Sequence, residues 1–253
     1  MNIFISVVSH GHGDLIRELD VLSKLNQSFN VIIKNNIADE TLESYARDNK
    51  IEFINSEYNL GFGENNNKIY SHVINNYIFS ELDLFIVINP DVYVDVETII
   101  ELSERMNESR SNIAGINLYI DREYIEYDNS IRKFPGFLDF TSSILGFGNS
   151  TIIDKSSVLE PTYVDWVAGS FIAFTMGNYN KLGGFDEHYF MYCEDIDICY
   201  RSKNLGSPVI FFPDIRAVHL AKHANRTLFS KHFKWHIESA VRFLLKKYFM
   251  IGI

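Results

Sequence analysis

The chain predicts an α/β fold, a mainly parallel central sheet with helices on both faces. Three observations predict it. Short β-branched and aromatic runs alternate with amphipathic stretches from Asn2 to about Met106. The most strand-like run, Leu84-Phe-Ile-Val-Ile88, is wholly apolar, as a strand covered on both faces must be. At 253 residues, 46% hydrophobic and 22% charged, the chain has the length and composition to bury one large core or two small ones.

In order, Asn2 to Val8 reads as a buried strand that stops at the loop Ser9-His-Gly-His-Gly13, and an amphipathic helix follows from about Asp14 to Leu25. Val31 to Lys34 predicts a second strand ending at Asn35-Asn36. Thr41 to Asn49 predicts a helix and Ile51 to Ile54 a third strand. The stretch Asn59-Leu-Gly-Phe-Gly-Glu-Asn-Asn-Asn67 is rich in glycine and amides and opens a helix to about Phe79. Leu84 to Ile88 ends at Asn89-Pro-Asp91. Ligands of parallel sheets bind beyond the carboxyl ends of the strands, so loops 9–13, 35–36, 59–67 and 89–91 are expected on one rim. Beyond them come a helix from Val96 to Met106 and a strand from Ile113 to Ile120. Tyr124 to Ile153 is a long excursion over the sheet edge, of a kind that is commonly functional. Val164 to Phe174 reads as one strand, with Asp165-Trp166 near its start, and Asn178 to Gly184 as a short helix and turn. Pro208 to Phe212 and Ala217 to His219 are short strands, and Leu228 to Tyr248 is a basic helix with interleaved aromatic residues.

Composition narrows the classes of function. Cys193 and Cys199 offer no disulfide framework and suit a reducing compartment. The N-terminus lacks the basic region of a signal peptide, and no stretch approaches 18 uninterrupted apolar residues, so a cytoplasmic location is expected. From Arg216 onward there are eight Lys or Arg against the one acid Glu238, a balance of +7. That leaves −17 for the remainder of a chain whose net charge is −10. An acidic body with a basic end argues against nucleic-acid binding and for a local anionic partner, either phosphate groups or an anionic membrane surface.

Three constellations carry chemistry. An aromatic approach, Tyr189 to Tyr192, runs into Glu194, Asp195 and Asp197, carboxylates that are costly beside apolar side chains unless paired, protonated or bound. The pair Glu194-Asp195 falls at the first turn of a helix, where it can cap, and Asp197 and Arg201 can pair four apart. Asn89-Pro-Asp91 places a carboxylate on the ligand rim, where a single Asp can hold magnesium or manganese beside substrate phosphates; the same residues also form ordinary turns. His219, His223 and Arg226 suit one imidazole ligand and a basic clamp on a diphosphate, or a solvated surface cluster. Gly61-Phe-Gly63 lacks the third glycine of a dinucleotide fingerprint, and no His-Glu-x-x-His zinc motif occurs. A diphosphate leaving group, a metal and a carboxylate base together call for nucleotide-sugar glycosyl transfer; glycosidases use two carboxylates without metal or clamp.

The same words resemble the family 2 glycosyltransferases with the GT-A fold, and within them the bacterial rhamnosyltransferases of O-antigen and cell-wall assembly. The matching words are Val8-Ser-His-Gly-His12, Gly61-Phe-Gly63 with Asn65-Asn-Asn67, Asn89-Pro-Asp91, and Arg132-Lys-Phe-Pro135. Further matches are Asp165-Trp166 with Ala168-Gly-Ser170, Gly184-Phe-Asp186, Tyr189 through Asp197, His219, His223, Asn225-Arg226, Phe229-Ser-Lys231 and Trp235-His236. They cover nearly the whole chain in order. The resemblance implies that Asp91 carries Mg²⁺ or Mn²⁺ with help from His219, Asn89 standing where the family has its first metal-motif carboxylate. It implies Asp195 as general base and Glu194 as its positioner. It places Ser9, His10, Asn35 and Asn36 against the nucleotide, and Gly61, Phe62, Gly63, Asn66 and Asn89 on the donor side. His223 and Arg226 would hold the diphosphate, and Asp165, Trp166 and Tyr192 would line the sugar and acceptor pocket. A GT-A domain is expected over 1–227, with a nucleotide-sugar half to about 120 and an acceptor half beyond, followed by a basic aromatic helix over 228–253. The implied reaction is inverting transfer of L-rhamnose from dTDP-β-L-rhamnose to a sugar on a polyprenyl diphosphate. The implied setting is the cytoplasmic face of the inner membrane, in lipopolysaccharide or other surface-polysaccharide synthesis. UDP-galactofuranose or a UDP-hexose as donor, or a non-catalytic nucleotide-sugar-binding module, are the alternatives.

Overall fold

The computed structural model describes residues 1–144, 148–221 and 231–249. In chain order the elements are β1 (Ile3–Ser9), α1 (Gly13–Leu19), α2 (Val21–Leu25), β2 (Asn30–Asn35), α3 (Glu40–Asp48), β3 (Glu52–Ile54) and α4 (Phe62–Asn76). Then come β4 (Leu84–Ile88), β5 (Val92–Tyr93), α5 (Val96–Glu108), β6 (Ile113–Tyr119), β7 (Ile131–Arg132) and α6 (Phe137–Ile144). The rest are a 3₁₀ turn (Lys155–Ser157), β8 (Thr162–Val164), β9 (Trp166–Val167), β10 (Phe171–Thr175), α7 (Met176–Leu182), α8 (Glu194–Asn204), β11 (Val209–His219) and α9 (Lys231–Phe249).

The main sheet runs β3-β2-β1-β4-β10-β6-β11-β5, with β8 added against β11. Its first half is parallel; β10 enters antiparallel between β4 and β6, and β6 and β11 are again parallel. Side-chain alternation sorts the core onto the two faces. Ile3, Ile5 and Val7 of β1 join Leu84, Ile86 and Ile88 of β4 in one cluster, while Phe4 joins Phe85 and Val87 in the other. β7 and β9 form a small separate ladder. Among the described residues no helix is long and apolar enough to cross a membrane.

Four departures from the sequence reading matter for the site. The helix expected over 14–25 is broken at Asp20, which adopts a left-handed conformation while its carboxylate accepts hydrogen bonds from the Ser23 and Tyr45 hydroxyls. The glycine-rich stretch is helix from Phe62 onward, and its glycines serve close packing: a Cβ on Gly61 would lie 2.7 Å from the Phe190 carbonyl, and one on Gly63 2.6 Å from Phe185 Cβ. The strand expected over 164–174 is broken at Ala168-Gly-Ser170, where the Phe171 N–H turns back onto the Ala168 carbonyl at 3.2 Å. That break takes the chain from the small ladder into the main sheet. The two strands expected at 208–212 and 217–219 are one, β11, with an irregularity between Phe212 and Arg216.

Candidate active site

The parallel strands β2, β1 and β4 end side by side, and their loops interlock. Asn36 N–H donates to the Ser9 carbonyl at 2.8 Å, and the Asn36 side-chain amide grips the Leu60 backbone through both its oxygen and its nitrogen at 2.9 Å. Ser9 Oγ accepts from the His12 N–H at 3.1 Å, and His10 is exposed beside it. Asn35 is fully buried, its amide donating to Asn55 Oδ1 at 3.0 Å, so its side chain points into the loop packing. Asn66 is a correction. On α4 it is buried, accepting from Ser6 Oγ at 2.7 Å and donating to the Phe62 carbonyl at 2.9 Å, because helical spacing turns it onto the sheet instead of the rim. Phe62 packs edge-on to Phe185, and its N–H donates to the Phe190 carbonyl at 3.1 Å.

At the end of β4, Asn89 N–H donates to the Ser170 carbonyl at 2.9 Å, and Asp91 follows. His219, the last residue of β11, presents Nε2 to Asp91 Oδ1 at 3.4 Å and donates from Nδ1 to Asp128 Oδ2 at 2.7 Å. Burial would lower the His219 pKa, but the two carboxylates outweigh it and raise it to about 9. Burial would likewise raise Asp91, and His219 holds it below the usual carboxylate range instead. No group of three His, Cys, Asp or Glu that could hold a metal exists among the described residues. A carboxylate and an imidazole backed by a second carboxylate still fit Mg²⁺ or Mn²⁺, which take few protein ligands and complete their shell with phosphate oxygens and water. His223 and Arg226, the expected diphosphate clamp, lie outside the described residues.

The acidic stretch forms a second centre. Tyr192 and Cys193 both have positive φ, 71° and 63°, a strained approach that aims α8 so that Glu194 and Asp195 open it. A cavity of about 250 Å³ lies against them, lined by Arg132, Trp166, Tyr192, Glu194, Asp195 and His236 among others. Asp195 accepts from the Gly169 N–H at 3.1 Å and from its neighbour Ile196 N–H at 2.8 Å. Burial raises its pKa, against the lowering pull of these donors and of Arg132. Glu194 is buried, its Oε2 without a hydrogen-bond partner among the described residues, and burial together with the Asp195 charge pushes it well up. The pair thus holds one negative charge more readily than two.

Trp166 donates from Nε1 to the Lys133 carbonyl at 3.0 Å, and the Arg132 guanidinium lies 5.4 Å from its ring centre. Asp165 is the second correction. At the bend between β8 and β9 it lies outside the cavity lining and accepts from Phe134 N–H at 2.9 Å and Lys203 Nζ at 2.7 Å. Asp128 and His236 escaped the sequence reading as site residues, and so did Arg132. Only the Arg132-Lys-Phe-Pro135 and Trp235-His236 words marked two of them, and nothing in the sequence marked Asp128.

One segment joins the two centres. Ala168 N–H donates to the Ser130 carbonyl at 2.8 Å, Gly169 N–H to Asp195, and the Ser170 carbonyl accepts from Asn89. The broken strand is therefore the frame on which the Asp91 and Asp195 sites are mounted.

This geometry can be set beside known proteins. No family model matches the chain. It is 34% identical over 250 residues to rhamnosyltransferase WbbL of Escherichia coli K12, covering 97% of this chain and 93% of that one. It is 32% identical over 92 residues, 36% of this chain and 30% of the relative, to an N-acetylglucosaminyl-diphospho-decaprenol L-rhamnosyltransferase of Mycobacterium tuberculosis. To the low-salt glycan biosynthesis hexosyltransferase Agl10 of Haloferax volcanii it is 23% identical, over 89% of this chain and 69% of the relative. The fold matches the crystal structure of S. aureus TarS 1-349 with a TM-score of 0.57 at 14% identity, over 100% of this chain and 75% of that one. With two carboxylate centres on one frame and an end-to-end relative in WbbL, the chain belongs to the family 2, GT-A-fold glycosyltransferases, among the bacterial rhamnosyltransferases.

Proposed function

We propose that the protein transfers L-rhamnose, with inversion, from dTDP-β-L-rhamnose to a sugar hydroxyl on a polyprenyl-diphosphate carrier in cell-surface glycan assembly. The observation that carries this reading is Asp195, an interior carboxylate facing a sugar-sized cavity and fixed by Gly169 to the segment that also holds Asn89. The WbbL likeness supplies the sugar, and the mycobacterial relative the kind of acceptor.

Asp91 and His219 would hold Mg²⁺ or Mn²⁺, which when bound neutralises charge on the diphosphate leaving group. Asp195, ionised, takes the proton of the acceptor hydroxyl as that oxygen forms its bond to C1 and the C1–O bond to dTDP breaks. Attack from the face opposite the leaving group turns the β-linked donor into an α-rhamnoside. Glu194, kept protonated by burial and by the Asp195 charge, leaves Asp195 as the one base of the pair. Trp166 and Tyr192 form apolar walls for a sugar ring, and Arg132 stacks over Trp166 from within the same cavity. The protein would work peripherally at a membrane surface, where its acceptor resides, with the outward face of α9 as the contact.

The test is a transfer assay with Mg²⁺ or Mn²⁺ and a polyprenyl-diphosphate sugar acceptor, offering dTDP-rhamnose, UDP-galactofuranose and UDP-N-acetylglucosamine in separate reactions. Product with dTDP-rhamnose above the other two is expected. Product only with a UDP-sugar would replace the donor, and none with any donor would remove the proposal.

A further inference from the structure

Asp128 lies in no sequence motif, yet it is built into the end of the site with unusual support. Its N–H donates to the Leu118 carbonyl at 3.0 Å, at the end of β6, and its own carbonyl accepts from Ser130 N–H at 2.9 Å. Lys155, only 4% exposed, pins the same two places: its Nζ donates to the Leu118 carbonyl at 2.9 Å and to Ser130 Oγ at 2.8 Å. Burying a lysine is costly, and this one spends its donors on holding a loop to a strand end. Among the described residues the carboxylate so held meets His219 Nδ1 in the site, at 2.7 Å. A neutral imidazole carries its proton on one nitrogen and a lone pair on the other, and a carboxylate acceptor at Nδ1 decides which.

We propose that Asp128 is a positioning residue: it fixes His219 in orientation and in the Nδ1–H tautomer, so that the Nε2 lone pair faces Asp91, and Lys155 anchors the loop that carries it. The role in cation binding rests on the reading that Asp91 and His219 hold the divalent ion. The role in fixing the ring does not. Without Asp128 the imidazole is released to rotate or to move its proton to Nε2, and the ligand pair holds the ion less well although both ligands remain.

Two measurements on the whole protein test this, each on the parent, Asp128→Asn and Asp128→Glu, with thermal melting to verify folding. The first is Mn²⁺ titration in the presence of dTDP, read by the electron paramagnetic resonance of the unbound ion. Asp128→Asn should weaken Mn²⁺ binding about 10- to 100-fold, the usual effect of losing a partner behind a ligand, and Asp128→Glu should restore part of it. The second is ¹⁵N NMR of the His219 ring in metal-free protein at pH 10, above its raised pKa of about 9. The parent should show the Nδ1–H tautomer and Asp128→Asn a mixture or the opposite one. A parent that binds no Mn²⁺ removes the metal reading of Asp91 and His219, while the NMR still decides the role of Asp128. An unchanged tautomer in Asp128→Asn, unchanged Mn²⁺ affinity where the parent binds, or an Asp128→Glu no better than Asp128→Asn would each overturn the proposal.

Discussion

At the scale of single residues, Asp195 stands between opposed influences. Burial pushes its pKa up, while the Gly169 and Ile196 N–H groups and the Arg132 charge pull it down, and burial prevails. A base acts only when ionised, so activity should fall on the acid side at a value above the ordinary carboxylate range. Arg132→Met removes one of the opposing pulls. The acid limb of kcat/KM should then move to higher pH; a limb at the parent position would mean that Arg132 does not tune the base. The acidic pair and Trp166 were legible in the sequence because their words sit where a strand end or helix start must be. Arg132 and Asp128 come from the long excursion, and His236 from α9, so only tertiary packing shows what they face. Asn66 and Asp165 were misread for a local reason. The helical period turns Asn66 onto the sheet, and the bend between β8 and β9 gives the Asp165 carboxylate to Phe134 and Lys203.

Among the elements, α9 was expected as a basic aromatic helix suited to an anionic partner, phosphate groups or a membrane surface. Three of its basic residues turn to the body of the protein: Lys246 bridges Asp186 and Asp197 at 2.7 Å, Arg242 binds Asp186 at 2.9 Å, and Lys247 donates to the Pro135 carbonyl at 3.0 Å. Phe243 is fully buried between these contacts, a burial worth about 2–3 kcal/mol. Burial alone would raise Asp186, and its cationic partners instead hold it well below the usual carboxylate range. Its contribution to docking α9 is therefore complete above the ordinary carboxylate pKa and lost only as pH falls through the depressed one. Beside the exposed Lys234 and Glu238, α9 turns an apolar stripe outward: Ile237, Val241 and Leu245, four apart, with Val241 51% and Leu245 42% exposed. Changing Val241 and Leu245 together to Ser should weaken flotation with anionic liposomes severalfold while leaving the melting temperature nearly unchanged, since neither side chain is in the core. Flotation equal to the parent would show that this stripe is not the contact.

Across the whole molecule, the parallel half of the sheet delivers the rim at Ser9, Asn36 and Asp91, and the later half delivers Trp166, Asp195 and His219. The alternation of strands and helices was enough to read the first half, where β3, β2, β1 and β4 all run parallel with helices between them in the chain. It was not enough for the second, where β10 inserts antiparallel between β4 and β6 and the apparent strand over 164–174 breaks at Ala168-Gly-Ser170. That break is the join between the centres, so donor binding and proton removal are assigned to separate residues on one support. The most direct measurement compares Asp195→Asn with the parent for two quantities, dTDP affinity with Mn²⁺ and rhamnosyl transfer to a polyprenyl-diphosphate acceptor. With Asp195 as the base, unchanged dTDP affinity and a loss of transfer of about 10²-fold or more are expected. Transfer by Asp195→Asn at the parent rate would contradict that role.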